Sequence, residues 1–276
     1  MRREPSWGRR CVSDTPYRLK DDSCSSHGII LARLGEGKGR RALDVGAADG
    51  FLAERLTARG WRVTALERDG ELAARARPKC DEVVVADLEQ GIPALSGPFD
   101  AVICGDILEH LRDPLPVLLG LGPCVALRGT VIVSVPNVAH LWVRLSLLFG
   151  RFRYKDRGIL DRTHLRFFTR RTFLDLLAEA GLEVKELAVT PAPLPLVVPS
   201  RLHGTWLSAV HALSAVAARC WKAGLAYQFV AVCHPVTRAA AVTSSIPLHA
   251  DYGTPRAAGR PIGSSGSASE PVRKSP

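Results

Sequence analysis

Strand-like and helix-like segments alternate along most of this 276-residue chain, and this alternation limits the possible folds more than any other feature. Short runs rich in valine and isoleucine predict strands, and the segments between them carry apolar residues at helical spacing. Strands that alternate with helices form a mostly parallel sheet with helices on both faces. The sequence therefore predicts an α/β protein with a Rossmann-like, doubly wound sheet.

The chain divides into three parts. We expect residues 28–235 to form the folded domain, between a flexible segment at 1–27 and a disordered tail at 236–276 that is rich in Pro, Gly and Ser. Within the domain, residues 137–168 and 191–224 interrupt the alternation after the ends of strands. Open α/β sheets bind ligands at that edge, so we expect both insertions to cover the substrate.

One stretch of the second insertion has its own periodicity. Trp206, Val210 and Leu213 recur at helical spacing, which predicts an amphipathic helix whose large side chains pack on the protein. A helix that lies on a membrane surface is the alternative.

Charge and cysteine content indicate which ligands and which cellular compartment suit the chain. The formal net charge is +10, and residues 151–171 alone carry eight basic against two acidic residues, a net +6. Such a cluster suits an anionic substrate or surface, or forms a solvated face. Seven cysteines without a C-x-x-C pair indicate a reducing compartment, so we expect a cytoplasmic protein. We expect neither a signal peptide nor a transmembrane helix, because no apolar run is long enough.

The stretch "ALDVGAADG" carries the first ligand-binding signal. The turn after the first strand directs backbone N–H groups at a ligand, and Gly46 and Gly50 let the backbone approach closely. A dinucleotide site has the spacing G-x-G-x-x-G, which this stretch lacks. Asp44 precedes the first glycine, where a carboxylate suits a ligand with an ammonium or sulfonium charge better than a pyrophosphate.

Further acidic residues follow the next strands. Glu67 ends the second strand, where an acid accepts hydrogen bonds from ribose hydroxyls. Asp87 ends the third strand and can accept from an adenine amino group, with Leu88 against the ring. The fourth strand, in "FDAVICGDILEHL", ends at Asp106.

Together these motifs resemble those of the class I S-adenosylmethionine-dependent methyltransferases, over roughly residues 28–235. The resemblance implies a seven-stranded sheet whose last strand is antiparallel. It also implies S-adenosylmethionine as cofactor, with the following residues around it: Asp44, Gly46, Ala47, Gly50, Glu67, Asp87, Leu88 and Asp106. Ala48 departs from the family, in which many members have glycine, and its methyl group would lie near the amino-acid end of the cofactor.

A second group of residues has the chemistry of a catalytic or metal site. Asp106, Glu109 and His110 lie three and four residues apart and would share a face on one helical turn, joined by His164 from the first insertion. Two carboxylates and two imidazoles would hold Mg²⁺ or Mn²⁺. The alternative is that Glu109 and His110 cap helices or line the pocket.

His164 is the expected catalytic base or metal ligand. Asp161, three residues earlier, would orient His164, and Arg166 would hold an anionic group of the substrate. A surface ion pair is the alternative for Arg166.

Two resemblances suggest the acceptor. The segment from 133 onward is similar to a bacterial subgroup associated with glycan and secondary-metabolite pathways, and its "EH" and "TH" elements are similar to those of ubiquinone-pathway O-methyltransferases. The resemblance therefore implies O-methylation of a small-molecule or glycan hydroxyl. The "D-x-x-E-H" pattern also resembles small-RNA 2′-O-methyltransferases, so an RNA-directed enzyme is the first alternative. A nicotinamide-dependent oxidoreductase and a non-catalytic cofactor-binding protein are the others.

Overall fold

The computed structural model describes residues 22–194, 198 and 204–236. The expectations for residues 1–21 and 237–276 lie outside the described residues.

Within these ranges the chain forms one mixed sheet of seven strands in the order β3-β2-β1-β4-β5-β7-β6. The strand β7 pairs antiparallel with both β5 and β6, and the pairs among β1 to β5 are parallel. The predicted doubly wound sheet with an antiparallel last strand is therefore confirmed. The strands are β1 (Arg41–Val45), β2 (Arg62–Glu67), β3 (Glu82–Val85), β4 (Phe99–Gly105), β5 (Val125–Pro136), β6 (Leu182–Thr190) and β7 (Gln228–Pro235).

Helices cover both faces of the sheet. They are α1 (Ser26–Leu34), α2 (Phe51–Thr57), α3 (Gly70–Ala76), α4 (Pro114–Leu121), α5 (Leu141–Leu148), α6 (Arg170–Glu179), α7 (Thr205–Cys220) and α8 (Lys222–Leu225). Neighbouring strand residues point to opposite faces, so Ala42 of β1 joins a core cluster with α1 and α2, whereas Leu43 joins a cluster with α4 and α6. Each face of the sheet thus has its own apolar core.

The helix α1 begins earlier than the predicted domain boundary at residue 28. Ser25 is its N-cap and accepts a hydrogen bond from the backbone N–H of Gly28. Ser26 and His27 are buried, and the His27 ring lies 4.8 Å from that of Phe51. The boundary therefore falls inside a packed helix.

The helix α7 forms where the periodicity predicts a helix, but it buries the opposite face. Leu207 and His211 are buried, together with small alanines, whereas Trp206 and Leu213 are exposed. The expectation that the large side chains pack on the protein is therefore wrong. Periodicity finds an apolar face, but His211 is held inward by a 2.7 Å contact between its Nε2 and Oδ2 of Asp22, which the spacing cannot reveal. Within the described ranges, no helix combines the length and the apolarity needed to span a bilayer.

Candidate active site

The turn after β1 is tied to the end of β2. The backbone N–H groups of Gly46 and Ala47 both donate to the carbonyl of Leu66, at 2.8 and 3.1 Å. Gly46 has φ +75°, and a Cβ atom there would lie 2.7 Å from the side chain of Ile107. This position therefore requires glycine, since a side chain would both strain the backbone and collide with the loop after β4.

The other glycine of the motif opens α2. Gly50 has φ +78°, and a Cβ atom there would come within 3.0 Å of Ala76 at the end of α3. The two glycines thus let the β1–α2 turn lie between the loop after β4 and the end of α3.

Asp44 lies inside the sheet at this edge. Asp44 is only 3% exposed, and its Oδ2 atom has no hydrogen-bond partner among the described residues. Burial and, to a lesser degree, the nearby charge of Glu67 together raise the pKa of Asp44 to about 7. A buried carboxylate oxygen without a partner suits a cationic ligand group.

Glu67 connects the turns that follow β1 and β2. Its Oε2 atom accepts from the backbone N–H of Ala48 at 2.8 Å, and its Oε1 atom accepts from those of Arg68 and Asp69. Ala48 has φ +50°, the left-handed region that L-residues enter at a cost. This conformation explains why glycine is favoured at position 48.

Asp87 and Leu88 follow β3. The Oδ1 atom of Asp87 accepts from the backbone N–H of Glu89 at 3.1 Å, which caps a short 3-10 turn, and Leu88 is buried beside it. The carboxylate therefore lies at the same sheet edge as Glu67.

Asp106 departs from the predicted arrangement. Its φ is +54°, so it precedes the 3-10 turn Leu108–His110 instead of sharing a helical face with Glu109 and His110. Its carboxylate accepts hydrogen bonds from the hydroxyls of Ser134 at 2.5 Å and Ser26 at 3.2 Å. These hydrogen bonds direct the Asp106 carboxylate towards α1 and β5, although its charge still acts on both His110 and His164.

The other three residues of the expected metal-ligand set do come together. Donor atoms of Glu109, His110 and His164 all lie within 4.8 Å of one another. The imidazole rings of His110 and His164 are edge to face at 4.9 Å between centroids, and Nε2 of His164 is 4.0 Å from Oε1 of Glu109. Two backbone hydrogen bonds hold the insertion there, because Leu165 and Arg166 both donate to the Glu109 carbonyl.

Both imidazoles are biased towards the neutral form. Burial is the main cause that lowers the pKa of His110 and of His164, and the neighbouring His110 ring lowers that of His164 further. Hydrogen bonds with backbone carbonyls and the charges of Asp161 and Asp106 partly oppose both shifts. The Nδ1 atom of His164 lies 3.2 Å from the carbonyl oxygen of Ile159, which can only accept a hydrogen bond. The proton is therefore assigned to Nδ1 and the lone pair to Nε2, the atom that faces Glu109.

Asp161 and Arg166 have other contacts than those expected. The Oδ1 atom of Asp161 accepts from the backbone N–H and the hydroxyl of Thr163, so Ile159 and not Asp161 bonds the His164 ring. The Nε atom of Arg166 donates to the carbonyl of Arg112 at 2.6 Å. Arg166 therefore ties the insertion to the loop after β4.

Sequence reasoning missed a residue that supports this loop. The hydroxyl of Tyr227, the residue before β7, lies 2.6 Å from where a Cβ atom of Gly158 would stand. Burial raises the pKa of Tyr227, and a hydrogen bond with the backbone of Ile159 opposes the rise. Tyr227 thus supports the residue whose carbonyl orients His164. No local pattern links residues this far apart, so no sequence signal marks Tyr227.

The family model for a methyltransferase domain matches residues 27–187, which is more than half of the chain. The chain belongs to the class I S-adenosylmethionine-dependent methyltransferases. This assignment decides against the nicotinamide-dependent alternative, as the Gly46–Gly50 spacing already indicated.

Two curated relatives and two solved structures are similar to this methyltransferase. A ubiquinone biosynthesis O-methyltransferase of Pseudomonas aeruginosa is 31% identical over 159 residues, 54% of this chain and 67% of the relative. One of Xanthomonas campestris is 35% identical over 134 residues, 43% of this chain and only 56% of the relative.

The solved structures share the fold at low identity. A methyltransferase of Archaeoglobus fulgidus has a TM-score of 0.51 at 15% identity and covers 75% of this chain and 93% of its own. The magnesium protoporphyrin IX methyltransferase of Synechocystis was solved with S-adenosylhomocysteine bound. It also has a TM-score of 0.51 at 15% identity, and the match covers 76% of this chain and 82% of the Synechocystis chain.

The residues of this methyltransferase fit its cofactor. The buried Oδ2 of Asp44 suits the cationic methionine end of S-adenosylmethionine, and the backbone at Gly46 leaves no side chain in the way. Glu67 and Asp87 offer carboxylates at the ends of β2 and β3, where we expect the ribose and adenine.

Proposed function

We propose that this methyltransferase transfers the methyl group of S-adenosylmethionine to a hydroxyl of a small-molecule or glycan acceptor, and that Glu109, His110 and His164 hold a divalent metal ion beside it. The observation that carries the proposal is the group of three donor atoms within 4.8 Å of one another, two from the loop that follows β4 and one from the first insertion. The names of the Pseudomonas and Xanthomonas relatives support oxygen as the accepting atom.

Methyl transfer to oxygen needs help that the cofactor does not supply. The acceptor oxygen forms a bond to the methyl carbon while the carbon–sulfur bond breaks, and the hydroxyl must lose its proton. A bound divalent ion lowers the pKa of a hydroxyl that coordinates it. His164 presents the Nε2 lone pair, which binds such an ion or accepts the proton directly, and Ile159 keeps the ring in that orientation.

The donor set favours some ions over others. Two imidazoles and one carboxylate suit Mn²⁺, Fe²⁺ or Zn²⁺, whereas Mg²⁺ prefers oxygen ligands throughout. Because Asp106 is bonded to Ser134 and Ser26, the oxygen-rich set expected for Mg²⁺ is incomplete. We therefore propose Mn²⁺ or a similar ion ahead of Mg²⁺.

The proposal is tested by counting labelled methyl groups transferred from S-adenosylmethionine to separate glycan, small-molecule, lipid and RNA fractions. We expect label in the glycan or small-molecule fraction, loss with EDTA, and recovery with Mn²⁺. His164→Ala should lower turnover at least ~100-fold while cofactor affinity is unchanged. His234→Ala, a histidine on β7 bonded to the Gly129 carbonyl, is the matched control and should keep full turnover.

Two results would overturn parts of this proposal. Equal turnover in the His164→Ala variant removes His164 from the mechanism. Label in the RNA fraction moves the activity to the RNA-directed alternative, which the basic residues of 151–171 would then serve.

A further inference from the structure

The first insertion exposes an unusual amount of apolar side chain. On α5 and the residues up to Tyr154, seven large side chains are at least 40% exposed, and Leu148 and Phe149 reach 76% and 73%. We call six of them, all but Leu147, the apolar ridge: Trp142, Leu145, Leu148, Phe149, Phe152 and Tyr154. Clustered exposed side chains of this size mark a contact surface far more often than single ones do.

Helical spacing and one ring contact relate the members of the ridge. Trp142, Leu145 and Phe149 are spaced by three and four residues, so they lie along one side of the helix. The rings of Phe152 and Tyr154 are edge to face at 5.4 Å. Val143 points the other way and is fully buried against Ile159 and Leu160, which fixes the helix on the protein with its ridge outward.

Basic side chains border the ridge. Arg144 lies on α5 itself, and Arg151, Arg153 and Arg157 follow as exposed residues between and beyond the aromatic ones. The Nζ atom of Lys155 lies 4.4 Å from the centroid of the Trp142 ring, which places a positive charge directly beside the ridge. An apolar strip next to arginines and lysines is the pattern of a helix that lies in the interface of an anionic membrane.

We propose that the apolar ridge docks this methyltransferase onto the surface of an anionic lipid bilayer. The apolar side chains enter the boundary between headgroups and acyl chains, and the arginines contact lipid phosphates. The charge of the neighbouring segment, a net +6 over 151–171, selects a negatively charged surface.

The composition of the ridge favours lipid over nucleic acid. Single-stranded RNA is bound by aromatic rings that stack on bases beside basic residues. Leu145 and Leu148 offer no such ring, and burying them in RNA would gain little, whereas acyl chains are their natural surroundings.

The ridge also reaches the proposed catalytic site. The ring of Phe167 lies 6.1 Å from that of Phe152 and 6.3 Å from that of His164. An acceptor partitioned into the bilayer would therefore enter past Phe167, so this consequence rests on the proposed function. The docking itself does not, because it concerns binding without turnover.

The test is flotation of the full chain with lipid vesicles in the absence of any methyl donor. We expect binding to vesicles of phosphatidylcholine with about one third phosphatidylglycerol, and at least tenfold weaker binding to pure phosphatidylcholine. The paired substitution Leu148→Ser and Phe149→Ser should weaken binding on the order of tenfold or more. The triple substitution Arg151→Gln, Arg153→Gln and Arg157→Gln should do the same and reduce the salt dependence.

Matched controls lie at the other end of β5. Leu127→Ser and Arg128→Gln remove one exposed apolar and one exposed basic side chain there and should leave vesicle binding unchanged. Thermal unfolding of every variant should match the wild type, because all the altered side chains are exposed.

Three outcomes would overturn the docking proposal. The first is no binding to anionic vesicles, and the second is vesicle binding that the ridge variants leave intact. The third is that the wild type binds single-stranded RNA but not vesicles, and that the triple arginine variant loses this RNA binding. Methyl transfer without vesicle binding would refute only the docking, and vesicle binding without methyl transfer to any hydroxyl would refute only the proposed function.

Discussion

Asp44 shows how one buried side chain prepares a site for a charged ligand. A carboxylate that is 3% exposed and has an oxygen without a hydrogen-bond partner is unfavourable in the cofactor-free chain, so its pKa rises to about 7. A sulfonium or ammonium group beside it reverses that effect, because the charged form is then stabilised. We therefore expect Asp44 to link proton release to cofactor binding.

This linkage predicts a pH dependence of cofactor affinity. Asp44 is mainly protonated below pH 7, and only the ionised form attracts the cation. The affinity for S-adenosylmethionine should therefore increase about tenfold between pH 5.5 and 7.0, a range in which an α-amino group stays protonated. Titration calorimetry at several pH values measures it.

Asp44→Asn supplies the control. The amide has a similar shape and no titration, so the variant should bind the cofactor more weakly and equally across this range. A wild-type affinity that is flat with pH would show that Asp44 does not face the cation.

Residue types at strand ends were predictable, but backbone conformations were not. Asp44, Gly46 and Glu67 lie where their order along the chain predicted, because strand ends of a parallel sheet gather at one edge. Asp106 was expected on a helical face with Glu109. Its φ of +54° depends on hydrogen bonds to Ser134, which is 28 residues away and invisible to local spacing.

Elements of the insertion depend on each other through a few close contacts. Gly158 has φ +93°, and the Tyr227 hydroxyl occupies the space that a side chain at residue 158 would need. The next residue, Ile159, orients His164 through its carbonyl. Tyr227, just before β7, thus supports the part of the first insertion that orients His164.

This contact predicts energetic coupling between the two residues. Gly158→Ala should lower the free energy of unfolding by roughly 1–3 kcal/mol, because it adds both backbone strain and a clash with the hydroxyl. In a Tyr227→Phe background the clash is absent, so the same substitution should cost at least about 0.5 kcal/mol less. Urea unfolding of the wild type, the two single variants and the double variant gives the double-mutant cycle.

The backbone strain at residue 158 is common to both backgrounds and cancels in the comparison. Additive effects in the cycle would mean that the Tyr227 hydroxyl and the Gly158 backbone do not interact.

The periodicity predicted that α7 is a helix, but not which of its faces is buried. The segment that became α7 has apolar residues at helical spacing, but a helix with few charges offers two faces that could be buried. The structure buries the face that carries His211, whose Nε2 lies 2.7 Å from Oδ2 of Asp22. The apolar ridge on α5 likewise follows from which face Val143 occupies, and spacing alone could not choose it.

At the scale of the whole molecule, the seven-stranded sheet with its antiparallel last strand was predictable because the motifs together resemble one family. The order β3-β2-β1-β4-β5-β7-β6 places the ends of β1, β2 and β4 side by side, with the antiparallel β7 between β5 and β6. The acceptor was not predictable, because the insertions that would contact it are irregular and their tertiary contacts decide their shape. The sheet thus carries the residues that we expect at the cofactor, and the insertions carry those that we expect at the acceptor.

The most direct measurement is carbon NMR of the product formed with S-adenosylmethionine that carries a ¹³C-labelled methyl group. The labelled cofactor is incubated with the full chain, Mn²⁺ and the fraction that accepts label, and the methyl resonance identifies the atom to which the methyl group is bound. We expect an O-methyl resonance that is absent with EDTA and strongly reduced in His164→Ala. An N-methyl or C-methyl resonance would contradict the proposed function, as would an O-methyl resonance of equal intensity in the variant.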